Sequence, residues 1–246
     1  MTRVLVIPAA GRGSRLHAST PKPLLPVNGR PMLDHLVDLY TPFVGHVVVV
    51  AHPSFAAAVE SWARRYRHVS VAQQPAPTGM LDAILLAAPV VREHDPDAIW
   101  ITWADQVGVL PATIARLADV TAGGSPPALA LPTVRRPDPY IHFDRDTGGR
   151  IVRLLQRREG DPMPAEGEGD LGLFALTRHA FDTDLDEYAR DVAPGGATGE
   201  RNFVPFVPWL ARRGTVATFP CTDPMEAVGI NTPDELREVA AWLLAR

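Results

Sequence analysis

The chain has 246 residues, of which 46% are apolar and 21% charged, so it can bury a sizeable core and does not have the composition of a disordered segment. A formal net charge of −4 offers no electrostatic footprint for nucleic acid, and Cys221 is the only cysteine, which excludes an intrachain disulfide. No apolar run approaches the roughly 20 residues of a membrane helix, and Met1-Thr2-Arg3 leads into an apolar run too short for a secretory signal, so a cytoplasmic protein with no membrane partner is expected.

Residues 4–7 form a continuous apolar run, the pattern of a strand buried on both faces. A glycine-rich turn follows, and then Met32, Leu33, Leu36 and Leu39 recur at helical spacing. Residues 46–51 predict a second buried strand. Ser54 is placed to cap a helix whose Phe55, Val59, Trp62 and Tyr66 share one stripe. Residues 69–72 predict a third strand, and Leu81, Ile84, Leu85 and Ala88 a helix stopped by Pro89. Residues 98–102 predict a fourth strand. Such alternation argues for a mostly parallel sheet with helices on both faces, an α/β Rossmann-like three-layer sandwich.

Beyond residue 122 the rhythm changes. Residues 128–134, 140–144, 151–156 and 171–176 predict strands separated by turns rich in Gly, Pro and Asp, which suit antiparallel additions and make the sheet mixed. Residues 159–169, polar and glycine-rich, predict a loop. Thr232-Pro233-Asp234-Glu235 carries the signature of a helix start, with Thr as N-cap, Pro at the first helical position and Glu closing a capping box. A single domain over 1–246 is expected, with residues 1–122 and 123–246 as its two halves.

The most informative segment is Pro8-Ala9-Ala10-Gly11-Arg12-Gly13-Ser14-Arg15, directly after the first strand, followed by Pro21-Lys22. Small and glycine residues at a strand end let backbone N–H groups approach polyphosphate oxygens, and Arg15 and Lys22 supply cations. The third glycine of a dinucleotide fingerprint is absent, since Leu16 stands there, and no Gly-Lys-Ser/Thr of a P-loop follows. Lys22 is the only lysine among 24 basic residues. Lysine and arginine differ in hydration and donor geometry, so this exception points to a task that needs a compact point charge.

These residues closely resemble the signature of nucleotidyltransferases with a GT-A-like Rossmann fold, the nucleotide-diphospho-sugar transferase type. That family includes glucose-1-phosphate thymidylyltransferases, N-acetylglucosamine-1-phosphate uridylyltransferases and phosphocholine cytidylyltransferases. Gln74-Pro75-Ala76-Pro77-Thr78-Gly79 is similar to the segment where the family reads the base. Trp103-Ala104-Asp105 resembles the place of its metal-binding Asp. Gly229-Ile230-Asn231 resembles the late segment whose Asn is a second metal ligand. The matches occur in family order along nearly the whole chain.

The resemblance implies transfer of NMP from an NTP to a phosphorylated small-molecule acceptor, such as a sugar 1-phosphate, with Mg²⁺ as cofactor. Pro8, Ala9, Ala10, Gly11, Arg12, Gly13 and Ser14 would cradle the phosphates. Arg15 and Lys22 would balance charge on the triphosphate and departing pyrophosphate. Gln74, Thr78 and Gly79 would meet the base, and Asp105 and Asn231 would hold Mg²⁺. The acceptor phosphate is already ionised at neutral pH, so no protein nucleophile is needed and catalysis is positioning plus charge stabilisation. On the acceptor side, Gln156 aligns with a Glu that contacts the sugar, Asp170 with an Asn, and Arg158 near a basic residue for the acceptor phosphate. Ile141 replaces Gly of a Tyr-Gly pair and Ala104 replaces Gly, departures that leave a phosphonate or alcohol phosphate open as acceptor for a cytidylyltransferase.

Rival readings leave their own marks. A GT-A glycosyltransferase would show D-x-D where Trp103-Ala104-Asp105 stands. A non-catalytic sensor would bind NTP without releasing pyrophosphate. A molybdopterin guanylyltransferase has a related glycine-rich loop, but the Gln74 and Gly229 segments argue against it. No left-handed β-helix repeat is present, so no fused acetyltransferase is expected, and self-association is left open. His35, His46, His52, His68 and His142 lack metal-ligand spacing and read as surface or satisfied core histidines. Arg64, Arg65 and Arg67 read as a solvated helix face, and Trp100 and Trp103 as packing residues.

Overall fold

The computed structural model describes residues 1–11, 16 and 20–246. In its first half β1 (Arg3–Pro8) leads through the short hairpin β2 (Pro26–Val27) and β3 (Arg30–Pro31) into α1 (Met32–Tyr40). There follow β4 (His46–Ala51), α2 (Pro53–Ala63), β5 (Val69–Gln73), α3 (Met80–Leu86), α4 (Ala88–Glu93), β6 (Ala98–Thr102) and α5 (Pro111–Val120). The four longer strands pair in parallel in the order β5-β4-β1-β6.

The continuous apolar runs have a direct cause. Leu5 and Ile7 of β1, with Val47 and Val49 of β4, pack on one face against α1, α2, α5 and the C-terminal helix α8 (Pro233–Leu244). Their neighbours Val4, Val6, Val48 and Val50 pack on the opposite face against α3, α4, α6 (Leu185–Asp191) and α7 (Phe206–Ala211). Successive side chains of a strand point to opposite faces, so a sheet sandwiched between two helix layers needs apolar residues at every position.

The second half adds β7 (Leu129–Pro137), β8 (Ile141–Arg145), β9 (Ile151–Gln156), β10 (Glu166–Asp170), β11 (Leu173–Thr177) and β12 (Val216–Pro220). β11 runs antiparallel to β6 and β7, β10 antiparallel to β7, and β12 parallel to β7, while β8 and β9 make a separate antiparallel hairpin. The sheet is therefore mixed with a parallel core, as predicted.

Five local expectations differ from the structure. His52, not Ser54, is the N-cap of α2: its ring accepts the Ser54 N–H at 3.1 Å. Tyr66 lies beyond the end of α2, yet its hydroxyl donates to Asp34, which also accepts from Trp62 Nε1 and Arg65. Arg65 thus serves a buried carboxylate and is not simply part of a solvated face. Pro89 ends no helix; it sits in the first turn of α4, where its missing N–H costs nothing. Residues 159–169 contain part of β10, whose Gly167 and Gly169 the glycine count disguised. A Cβ at Gly167 would lie 2.7 Å from His142 Nδ1, and one at Gly169 2.8 Å from the Ile141 carbonyl oxygen. The glycines let β8 pack close over this strand.

Candidate functional site

A cleft of about 760 Å³ opens at the carboxyl ends of β1 and β6, where parallel strands give way to the antiparallel addition. Open α/β sheets bind ligands at this kind of position. Pro8, Ala9, Ala10, Gly11, Lys22, Gln74, Gly79, Asp105, Gln156, Arg158, Asp170 and Asn231 all line it. Residues separated by more than two hundred positions in the chain are thus brought to one cleft. Thr78 instead faces a neighbouring shallow depression, and Arg12, Gly13, Ser14 and Arg15 lie outside the described residues. Among the described residues nothing stands within 4 Å of a Cβ built on Gly11.

One group in the cleft has a cation at its centre. Pro21 and the buried Pro23 bracket Lys22 in a short 3₁₀ turn, and the Lys22 ammonium donates to Asp105 Oδ2 at 2.6 Å and Asn231 Oδ1 at 2.9 Å. Asp105 follows β6, and its carbonyl accepts the Ile230 N–H at 3.1 Å, which ties the two ligand-bearing loops together. Asn231 precedes the N-cap of α8, and Glu235 of the capping box accepts both the Asn231 and Thr232 N–H groups at 2.8 Å. Asn231 Nδ2 donates to the Gly229 carbonyl at 3.2 Å, which turns its amide oxygen toward Lys22. A Cβ at Gly229 would sit 3.3 Å from Asn231 Nδ2 and 3.4 Å from Asp105 Cγ.

One carboxylate and one amide oxygen therefore converge on one positive centre, a donor pair that suits a hard divalent cation. Among the described residues no cluster of three or more His, Cys, Asp or Glu could hold a metal. Magnesium at Asp105 and Asn231 would thus complete its shell with waters and substrate phosphates, its usual habit. The histidines that the sequence set aside have structural partners. His35 bonds to the Val27 carbonyl, His46 to Ser70, His68 to Thr41, and His142 to the Glu168 N–H.

Gln74 is 4% exposed and anchored by its own loop, with Nε2 donating to Thr78 Oγ1 at 3.2 Å and the Gly79 carbonyl at 2.9 Å. Both amide hydrogens are used there, so the group it offers a ligand is its carbonyl oxygen. Gly79 has φ +118°, and a Cβ on it would stand 2.4 Å from the Arg201 carbonyl oxygen, so only glycine fits.

The opposite wall is richer in charge than the sequence suggested. Burial pushes the Asp170 carboxyl up to about 6, against the opposing pull of hydrogen bonds from the Gly172 N–H, its own backbone N–H and Trp103. Gly172 has φ +72°, and a Cβ there would lie 2.2 Å from Trp103 Cδ1. Trp103 packs against Phe174 and Phe203 while also lining the cleft; Trp100 is wholly buried against Tyr40 and Phe43. Arg158, expected near an acceptor phosphate, is ion-paired with Glu200 at 2.9 Å. Sequence reading missed Arg136, Tyr140, Glu200 and Asn202 on this wall. They stand on strand ends and irregular chain with no periodic signal, and only the turn of residues 193–202 brings the last two in.

The family model described as "MobA-like NTP transferase domain" matches residues 5–167. The bifunctional protein GlmU of Pelotomaculum thermopropionicum is 31% identical over 256 residues, covering 100% of this chain and 53% of its own length. GlmU of Cupriavidus necator is 34% identical over 242 residues, 96% of this chain and 50% of its own. That of Sorangium cellulosum is 29% identical over 249 residues, 98% and 52% respectively. The chain spans about half the length of these curated relatives. The family match stops short of Gly229-Ile230-Asn231, whereas the alignment to the Pelotomaculum protein covers the whole chain.

Proposed function

Because the chain belongs to the MobA-like NTP transferase domain family, we propose that it transfers the NMP of an NTP to a sugar 1-phosphate, giving an NDP-sugar and pyrophosphate. The observation that carries this reading is the convergence of Lys22, Asp105 and Asn231 in a cleft that Pro8, Ala9, Ala10 and Gly11 also line. A polyanion bound there lies beside the compact Lys22 cation and the chain that follows β1. The GlmU relatives favour a sugar phosphate over other acceptors.

In this reading residues 1–122 hold the nucleotide and 123–246 the acceptor. An oxygen of the acceptor phosphate attacks the α-phosphorus in line; a new P–O bond forms as the bond to the β-phosphate oxygen breaks, and pyrophosphate carries away the electron pair. Lys22 balances charge as it builds on the leaving group, and Gln74 accepts a hydrogen bond from the base. Gln156 and Asp170 face the acceptor, while Arg158 acts through its ion pair with Glu200. Asp105 and Asn231 would hold Mg²⁺, whose contribution is to neutralise phosphate charge. Substrates of this kind and a single cysteine suit the cytoplasm, and among the described residues no helix is long and apolar enough to cross a membrane.

The test is pyrophosphate release from a panel of NTPs and sugar 1-phosphates, with Asp105→Ala beside the wild type. One NTP–sugar phosphate pair should turn over. Asp105→Ala should lose about 10²–10³ in kcat while remaining folded, the scale of an electrostatic group aimed at developing charge. NTP binding without pyrophosphate release from any pair would make the protein a sensor.

A further inference from the structure

We propose that Glu159 is a positioning residue whose carboxylate holds residues 195–202 as a strap between the acceptor wall and the Gln74–Gly79 turn. This rests on the division of the cleft proposed above. Glu159 does not itself line the cleft; it closes the short turn after β9. Its Oε1 accepts the Thr198 hydroxyl at 2.6 Å and Asn202 Nδ2 at 3.0 Å, and its Oε2 accepts the Ala197 N–H at 3.1 Å. The strap curls around this anion, with the Gly195 N–H donating to the Glu200 carbonyl and the Gly199 N–H to the Gly195 carbonyl, both at 2.8 Å. A Cβ at Gly195 would fall 2.4 Å from Glu159 Oε1, so the turn closes this tightly because glycine stands there. The Thr198 hydrogen bond, with those of Ala197 and Asn202, also holds the Glu159 carboxyl below its ordinary range.

The far end of the strap grips the nucleotide side. The Arg201 N–H donates to the Thr78 carbonyl at 2.7 Å, the Arg201 carbonyl accepts the Leu81 N–H at 3.1 Å, and the Arg201 guanidinium pairs with Asp82. Glu200, between Thr198 and Arg201, and Asn202, itself held by Glu159, both line the cleft. Residues 193–202 contain no helix or strand, so their shape depends on such contacts. One carboxylate thus sets two groups on the acceptor wall and, through Arg201, braces the turn that presents Gln74.

Hydrogen–deuterium exchange and steady-state kinetics of the full chain, in Glu159→Ala and Glu159→Gln, test this. In Glu159→Ala the amides of 195–202 and of Leu81 should exchange at least about tenfold faster, the scale of losing charge-assisted hydrogen bonds, while β1 and β6 amides stay unchanged. The acceptor KM should rise about tenfold with kcat within about threefold, because Lys22 and Asp105 are untouched. Glu159→Gln, which keeps one acceptor oxygen, should fall between. Unchanged exchange in the strap, faster exchange throughout β1 and β6, or a kcat loss with an unmoved acceptor KM would each overturn the proposal. Absence of pyrophosphate release from the wild type counts against the proposed function alone, since the exchange measurements still decide whether Glu159 holds the strap.

Discussion

Lys22 places its ammonium 2.6 Å from the Asp105 carboxylate, on the same side as the Asn231 oxygen at 2.9 Å. A divalent cation and the ammonium cannot share that point. In the proposed reading, binding of Mg²⁺ with nucleotide would have the lysine exchange Asp105 for a phosphate. Lys22→Met should bind Mn²⁺ in the absence of nucleotide about tenfold more tightly than wild type, a difference of about 1.4 kcal/mol, measured by EPR titration. Equal affinities would show that the ammonium does not compete. Lys22→Arg keeps the charge but spreads it over a planar fork, and should still lose about 10²–10³ in kcat.

Gln74 makes a prediction about base selectivity. Its amide hydrogens are held by Thr78 and Gly79, which leaves the carbonyl oxygen to accept an N–H from the base edge. Gln74→Ala should reduce discrimination among NTPs by about tenfold, one hydrogen bond's worth, and slow the preferred substrate less than that. Ratios of kcat/KM across the NTPs measure this directly. An unaltered ranking with unaltered ratios would move base recognition elsewhere.

Gly172→Ala should be costly to stability and to the Trp103 side of the cleft together. The added methyl meets Trp103 Cδ1 at 2.2 Å and Gln106 Cγ at 2.9 Å on a backbone with φ +72°. Left-handed strain plus overpacking amounts to about 2–4 kcal/mol, and for a chain of this size to a drop in Tm of roughly 5–15 °C. Calorimetry, with intrinsic fluorescence compared in a Trp103→Phe background, would follow both effects. A Tm within a degree of wild type would mean that Trp103 moves aside freely.

His46 predicts the acid behaviour of the opposite end of the sheet. Burial lowers its pKa to about 4, helped by His94 and His68, and its ring stacks on His94 at 3.7 Å while bonding to Ser70. The unfolded chain would protonate this histidine near its ordinary value of about 6.5. Between those two values the unfolded state binds more protons, so stability falls as pH drops from about 6.5 toward 4 and is fully present above. Thermal melts from pH 7.5 to 4.5 should show this slope, and His46→Gln should flatten it. An identical slope in the variant would assign the effect to other groups.

Much of this protein is legible in its residues taken in order. The all-apolar runs at 4–7 and 46–51 announce strands buried on both faces, because alternating side chains serve two helix layers. Thr232-Pro233-Asp234-Glu235 announces its helix through local capping chemistry alone. The lone lysine stands out because a single exception in composition is visible without coordinates, and it lines the cleft. What order along the chain cannot express is which backbone approaches which. Gly167 and Gly169 read as loop until β8 is seen lying across them, and the capping role of His52 and the pairing of Arg158 with Glu200 depend on exact facing. The Asp170 side of the cleft suffers most, since Glu200 and Asn202 reach it from irregular chain held by side-chain hydrogen bonds to Glu159, interactions with no periodicity to read. Periodic burial is a property of sequence; convergence of polar atoms from distant segments is a property of the packed chain, decided only when the helix layers fix where each strand ends.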